Sequence, residues 1–280
     1  MAGDLHCHTR LSDSSVGLEE LLEMAQQHGL DTLAVTDHDC QTANVRAMNI
    51  GKRRGITVIP GVQLSATHTA SGRRADILCY AAKNPDRLEG LCHRNTQIRK
   101  RAGLLMAAKV TKRHPLSNEI LKRCCQGSVC IDGRHIMHAL IESGAAHDFG
   151  GELWRTLFSP ASADNVLVRV RYPEPSEVID AIHDAQGVAI LARPAAGNDL
   201  DLLEDLLRDG LDGVEVWNPD NSPEETTQLE RFARERGILM TGGSNFHGMY
   251  SDMPRHVGAA VTPDEHIRAL LKFLPVAKSA

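Results

Sequence analysis

No apolar run in this 280-residue chain approaches the roughly 18–20 residues of a membrane span, so no transmembrane helix is expected. The N-terminus has no basic region followed by an apolar stretch, so no secretory signal is expected. Paired CxxC zinc motifs are also missing. The seven cysteines (Cys7, Cys40, Cys79, Cys92, Cys124, Cys125 and Cys130) are odd in number and scattered. They are expected to be free thiols used for packing in a reducing, cytoplasmic setting. Basic charge is not in excess either. A net charge of -5 gives no general electrostatic reason to hold nucleic acid, and no stable nucleic-acid complex is expected, although a local basic pocket stays open. Internal repeats and low-complexity segments are absent.

What is present is enough material for a sizeable core, with 42% hydrophobic and 24% charged residues. Short apolar or β-branched runs alternate with amphipathic stretches. Strands are expected at Asp4-Leu5-His6-Cys7-His8, Thr32-Leu33-Ala34-Val35-Thr36, Ile56-Thr57-Val58-Ile59 and Ile77-Leu78-Cys79-Tyr80. Helices are expected over 18–28, where Leu18, Leu21, Leu22 and Ala25 fall at helical spacing before Gly29, and over 42–54. The alternation resumes late, with helices over 176–186, 200–208 and 223–236. Each leads into a strand: Val188-Ala189-Ile190-Leu191, Gly213-Val214-Glu215-Val216 and Ile238-Leu239-Met240-Thr241. Repeated strand–helix units imply parallel strands with helices outside. Between 86 and 158 the strand signals vanish and helices are expected over 88–112, 117–123 and 135–142. The organisation expected is therefore a barrel made of 1–85 and 159–280, interrupted by a helical insertion at 86–158.

Polar residues gather where the strands end, and in a parallel barrel those ends converge on one face. His6 and His8 alternate on one strand and share a side. Asp13 follows in the next loop, and Asp37-His38-Asp39 ends the second strand. Gln63 is placed at the end of the third strand and Asp76 at the start of the fourth. Arg193 follows the fifth, Glu215 lies in the sixth, and Asn245 and His247 follow the last. Mixed imidazole and carboxylate donors suit zinc, manganese or iron. The bland alternative is a merely polar barrel mouth.

These motifs carry a family resemblance. Asp4-Leu5-His6-Cys7-His8, Ser12-Asp13, Thr36-Asp37-His38-Asp39, Pro60-Gly61-Val62 and Gly242-Gly243-Ser244-Asn245-Phe246-His247-Gly248 resemble the polymerase-and-histidinol-phosphatase (PHP) phosphoesterases in order and spacing. Leu191-Ala192-Arg193-Pro194 looks like that family's LAHP segment, and Gly213-Val214-Glu215-Val216 its GIEV segment. His135 with Ala139-Leu140-Ile141-Glu142 is similar to its RxHxAxxLVE helix. The resemblance implies a distorted seven-stranded (β/α) barrel, up to three clustered metal ions, and hydrolysis of phosphate esters. It also implies three ligand sets: His6, His8, Gln63 and Asn245; Gln63, Asp76 and Arg193; and Asp13, His38 and His247.

This chain departs from the pattern. Gln63 and Asn245 stand where the family has Glu and Asp, while Asp76 and Arg193 stand where it has His. An arginine presents only donors and cannot ligate a metal. It is expected to pair with Asp76, with Gln63 accepting a further hydrogen bond, so that a built-in cation replaces an ion. One or two divalent ions are therefore expected rather than three, with the third set complete.

The function expected is metal-dependent hydrolysis of a small phosphate ester, a nucleotide or other phosphorylated metabolite. Arg193 and His135 are the catalytic candidates, and Arg134, Asn218 and Arg193 the substrate-binding ones. The bland reading of His135 is a helix-surface histidine. Arg134 stands beside, not at, the family's arginine position, which is Gly133 here. Arg73, Arg74, Arg169 and Arg171 either extend an anionic pocket or form a solvated face. Two other readings stay open. One is an inactive relative that binds ligands or regulates. The other is a non-haem iron enzyme using the two-His-one-carboxylate set.

Overall fold

The computed structural model describes residues 2–194, 200–251, 253 and 255–274. Seven strands form one sheet in sequential order: β1 (Gly3–Cys7), β2 (Thr32–Val35), β3 (Thr57–His68), β4 (Arg73–Tyr80), β5 (Val188–Leu191), β6 (Gly213–Trp217) and β7 (Leu239–Gly242). The segment after β7 closes the sheet onto β1. His8 N–H donates to the Phe246 carbonyl at 3.0 Å, and Phe246 N–H to that of His6 at 3.3 Å. The result is a distorted (β/α) barrel.

Around it lie α1 (Leu18–Gln27), α2 (Asn44–Arg54), α7 (Pro175–Asp184), α8 (Leu200–Arg208), α9 (Pro223–Arg236) and α10 (Asp264–Leu271). Local chemistry sets their limits. In α1 the apolar spacing buries Leu18, Leu21, Leu22 and Ala25, and Gly29 supplies the left-handed backbone that ends it. Ser222 and Glu225 close a capping box at the start of α9, and Gly237 in the left-handed region stops it.

One inference from the alternation fails. β4 runs antiparallel to both β3 and β5. Only residues 69–72 separate β3 from β4, far too few for a helical crossover, so the two strands form a hairpin. The third strand is also longer than its expected four residues. Pro60-Gly61 reads as a break, yet β3 runs on through it. Pro60 is where the strand stops pairing with β2 and begins to pair with β4. Gln63 and Asp76 consequently lie inside strands, not at strand ends.

The barrel interior is filled by Leu5, Ala34, Ile59, Leu78, Tyr80 and Ile190, all buried. Tyr80 donates its hydroxyl proton to the Leu5 carbonyl at 2.7 Å, which satisfies the one polar atom of that large side chain. The opposite strand faces pack on the surrounding helices. A separate apolar cluster joins α3 (Glu89–Val110), α4 (Asn118–Cys124), α5 (Gly133–Glu142) and α6 (Glu152–Phe158). α3 belongs to both regions: Leu91 and Cys92 pack with the barrel, Ala107 and Val110 with the helical cluster. α6 and α10 had no counterpart in the sequence reading. No helix among the described residues is long and apolar enough to cross a membrane.

Candidate metal centre

His8, just beyond β1, Asp13 in the following loop, His38 after β2 and His247 after β7 meet at one end of the barrel. All four are buried, and they offer donor atoms within 4.8 Å of one another. The His8 and His247 rings stack with centroids 4.2 Å apart, and His38 lies 4.7 Å from His8. Asp13 Oδ2 lies 3.3 Å from His247 Nε2 and 3.7 Å from His38 Nε2, while Oδ1 is 3.6 Å from His8 Nδ1. Arg134, from α5, donates to Asp13 at 2.7 Å.

The loop carrying Asp13 is tied down by Asp37. That carboxylate accepts from Thr9 N–H at 2.8 Å, the Thr9 hydroxyl at 2.6 Å and the Ser12 hydroxyl at 2.6 Å. Burial lifts Asp37 to about 6 from its ordinary 3.8, more than these donors lower it. A carboxyl raised on folding favours the folded state below its unfolded value, and that stabilisation fades as pH rises through the folded value. Asp37 should therefore contribute about 3 kcal/mol that disappears between roughly pH 4 and 6. Urea unfolding of Asp37→Asn against the parent across that window should show a flatter pH slope in the variant.

The cluster has the chemistry of a cation site. His247 Nδ1 donates to the Asn245 carbonyl at 2.7 Å, which leaves Nε2 as a lone pair facing Asp13. That atom and both ring nitrogens of His8 are buried without a hydrogen-bond partner. Burial holds the imidazoles of His8, His38 and His247 below their ordinary value, and so neutral. Burial alone would raise Asp13, but its hydrogen-bonding and charged neighbours, Arg134 among them, hold it well below the usual carboxylate range. Neutral lone pairs turned towards a carboxylate fit a divalent ion. His38 fits less well. Arg99, from α3, can only donate, and it reaches His38 Nδ1 at 2.9 Å, so Nε2 carries the proton in this arrangement. Ligation through Nε2 requires Arg99 to withdraw.

His6 and Gln63 are occupied differently. His6 Nδ1 donates to Glu215 at 2.7 Å, and His6 Nε2 lies 2.8 Å from Gln63 Oε1. Glu215 accepts only, so the Nε2 lone pair needs a donor. Turning the amide over supplies the Gln63 NH2 group, which otherwise has no partner. Either way the His6 lone pair that a metal would need is engaged. Asn245 is buried, with φ at 49° and its carbonyl holding His247.

Arg193 lies 3.4 Å from Asp76, within ion-pair range as the sequence predicts. The expected bond to Gln63 is not among those formed by the described residues, because Gln63 faces His6. Asp76 is also held by Arg74, at 3.2 Å. Since Arg193 is 30% exposed and Asp76 keeps Arg74, Arg193→Ala should cost about 1 kcal/mol or less in unfolding free energy. That is well below the cost of breaking a fully buried pair. A chemical denaturation series on the single variant checks it.

Asn218 is buried and donates to Glu215 at 3.4 Å, beside the Arg193 N–H that reaches the same carboxylate at 3.0 Å. His135 is not on a helix surface. It is wholly buried, its Nδ1 accepts from Asp132 N–H at 3.0 Å in a capping box, and its Nε2 has no partner. Arg169 and Arg171 are exposed, Arg171 bonding Thr69, and Arg73 is exposed too. Sequence reasoning missed Arg99, whose guanidinium binds Asp39 at 2.7 Å, Ser65 at 2.7 Å and His38. Asn95, one turn earlier on α3, also donates to Asp39, at 2.8 Å. The available signal was a polar pair at i, i+4 on a helix whose other faces hold enough charge to hide it.

Comparison with known proteins agrees with this geometry. The PHP domain model matches residues 4–185. A phosphoribosyl 1,2-cyclic phosphate 1,2-diphosphodiesterase of Eggerthella lenta is 29% identical over 264 residues, covering 93% of this chain and 99% of that protein. A 5′-3′ exoribonuclease of Escherichia coli is 30% identical over 251 residues, covering 87% and 84%. A crystal structure assigned as a metal-dependent phosphoesterase from Bifidobacterium adolescentis superposes with a TM-score of 0.87 at 25% identity, covering 98% of this chain and 97% of that one. With the family model spanning well over half of its length and its strand-end histidines gathered as the motifs require, the chain belongs to the PHP domain family of metal-dependent phosphoesterases.

Proposed function

We propose that this chain hydrolyses a phosphate ester with a reduced metal set, one or two divalent ions centred on His8, Asp13, His38 and His247. The observation that carries this reading is the group of buried, unpartnered nitrogens of His8 and His247 turned towards Asp13. Manganese, zinc and iron all suit such donors. When bound, such an ion supplies Lewis acidity, polarising a phosphoryl oxygen and activating water.

The chain's own groups do the rest. Arg193, partly exposed and only loosely tied to Asp76, offers a cation to phosphate oxygens where the family has a histidine. Arg134, already drawn to the anionic Asp13, is placed to hold substrate phosphate in the same way. Asn218 keeps Glu215 in place and offers an amide. His135 presents a buried Nε2–H as a donor, which reaches a leaving group only if the α5 N-terminus shifts. His6, Gln63 and Asn245 are the remaining ligand candidates for a second, weaker ion, available once the His6–Gln63 contact opens.

The relatives include a cyclic phosphodiesterase and an enzyme acting on RNA. The acidic balance of this chain favours a small phosphorylated substrate over a long polyanion. Free thiols, six of the seven buried, suit a cytoplasmic location. The 86–158 helices are read as an insertion that leans on the barrel through α3 rather than as an independent unit.

A second reading, a ligand-binding relative without turnover, is favoured by one observation. The contacts His6–Gln63 and Arg193–Asp76 already engage side chains that ion ligation at those positions would need. Metal analysis paired with phosphate release from a panel of esters separates the two. The enzyme reading expects metal-dependent release abolished by chelation; the binding reading expects none. Restoring the family residues together (Gln63→Glu, Asp76→His, Arg193→His and Asn245→Asp) should raise bound metal in either case.

A further inference from the structure

Apart from the four-residue centre, one more group of metal-type donors forms among the described residues, where α4 ends against α5. Cys124, His138 and Glu142 each contribute a donor atom, and the three atoms lie within 4.8 Å of one another. His138 and Glu142 stand one turn apart on α5, at i and i+4, so both project from the same face. Cys124 is the last residue of α4 and reaches that face from the neighbouring helix. The thiol is buried, while His138 and Glu142 are partly exposed, so an ion has a way in from solvent.

The donors are already oriented. His138 Nε2 lies 3.2 Å from Glu142 Oε1, and Arg123 holds the other carboxylate oxygen, which leaves Oε1 for the cluster. The Tyr250 hydroxyl, 2.9 Å from His138 Nδ1, serves either tautomer of the imidazole. Without an ion, Nε2–H donates to Glu142 and the Tyr250 hydroxyl donates to Nδ1. With one, Nδ1–H donates to the Tyr250 oxygen, whose own proton turns to the Cys124 carbonyl at 3.5 Å. The Nε2 lone pair is then free to ligate, and the partner on the far side of the ring is kept.

The geometry points to a separate zinc site, formed by the Cys124 thiolate, His138 Nε2 and Glu142 Oε1, with a fourth position open to water. Thiolate, imidazole and carboxylate together suit zinc, whereas the Asp13 centre offers only nitrogen and oxygen. Zinc binding releases the thiol proton to solvent, so one S–H bond is exchanged for one Zn–S bond. The ion clips the end of α4 to α5. Tyr250 joins that clip to the Asp13 centre: its carbonyl accepts from Arg134 Nε at 3.3 Å, and Arg134 donates to Asp13. The ion thus braces the helix that carries Arg134, and none of its ligands is assigned to the reaction.

Cobalt(II) distinguishes this site from the Asp13 centre, because only a sulfur ligand gives a near-ultraviolet thiolate-to-metal charge-transfer band. Titrated anaerobically into the metal-free protein, cobalt should raise that band, and added zinc should bleach it, zinc being the tighter-binding ion. Cys124→Ser should abolish the band, while Cys125→Ser, which changes the neighbouring thiol, should leave it intact. Glu142→Gln keeps the shape and removes the charge, so at least about tenfold more cobalt should be needed to reach half of the band. Should Cys124→Ser fail to fold, the Glu142→Gln titration decides.

No band in the parent protein would overturn the proposal, and so would a band of parent strength in folded Cys124→Ser. Loss of the band in Cys125→Ser, or an unchanged titration in Glu142→Gln, would overturn it as well. Phosphate hydrolysis at the Asp13 centre stands or falls separately.

Discussion

Asp13→Ala is expected to abolish phosphate release and to remove the ion held by the four-residue cluster. Asp13 is the only carboxylate in that cluster, and it faces His8, His38, His247 and Arg134 at once. Its charge makes the buried imidazoles a cation site; without it, three neutral rings and an arginine remain. An ion contributes several kcal/mol to a phosphoryl-transfer transition state, so the loss should exceed about a thousandfold. The fold should survive. Arg134, 27% exposed, can return to water, and the loop keeps its Asp37 anchors. Asp13→Asn preserves the shape and removes only the charge, so it should lose metal and activity alike. Elemental analysis alongside a thermal melt distinguishes this from unfolding.

Arg99→Ala should have the largest effect on stability, about 3–5 kcal/mol in denaturant unfolding. Arg99 is 8% exposed and Asp39 not at all, and their contact is 2.7 Å. Burial alone disfavours the charged guanidinium, yet Asp39 holds Arg99 well above its ordinary value. Removing the arginine leaves a buried carboxylate with Ser65 and Asn95 as partners but no countercharge. A double-mutant cycle with Asp39→Asn tests the cause. If charge burial is responsible, Asp39→Asn should recover a large part of the loss in the Arg99→Met background. Strictly additive costs would point to packing instead.

Asp13, His38 and His247 were legible as one set because they sit at or just past strand ends, where a short motif and its position in the barrel coincide. His8, expected to share a set with His6, joins them instead. The antiparallel β4 was hidden by Pro60-Gly61, which looks like a terminator but marks a change of partner strand. Asp76 and Arg193 were matched as a charge pair because a guanidinium cannot ligate a metal and a neighbouring carboxylate is its natural partner. The hydrogen bond assigned to Gln63 went astray because sequence spacing cannot say that His6 lies closer to it than Arg193 does. Arg99 was invisible for a related reason. Its partners Asp39, Ser65 and His38 lie on other elements, and only the packing of α3 against the barrel brings them together.

Anomalous diffraction from metal-soaked crystals, collected at the manganese, iron and zinc edges, tests the reduced metal set most directly. The expected map has one strong peak among His8, Asp13, His38 and His247, at most a weak one near His6, and none beside Asp76 and Arg193. Three fully occupied peaks, or a single peak at His6 with the Asp13 cluster empty, would contradict it.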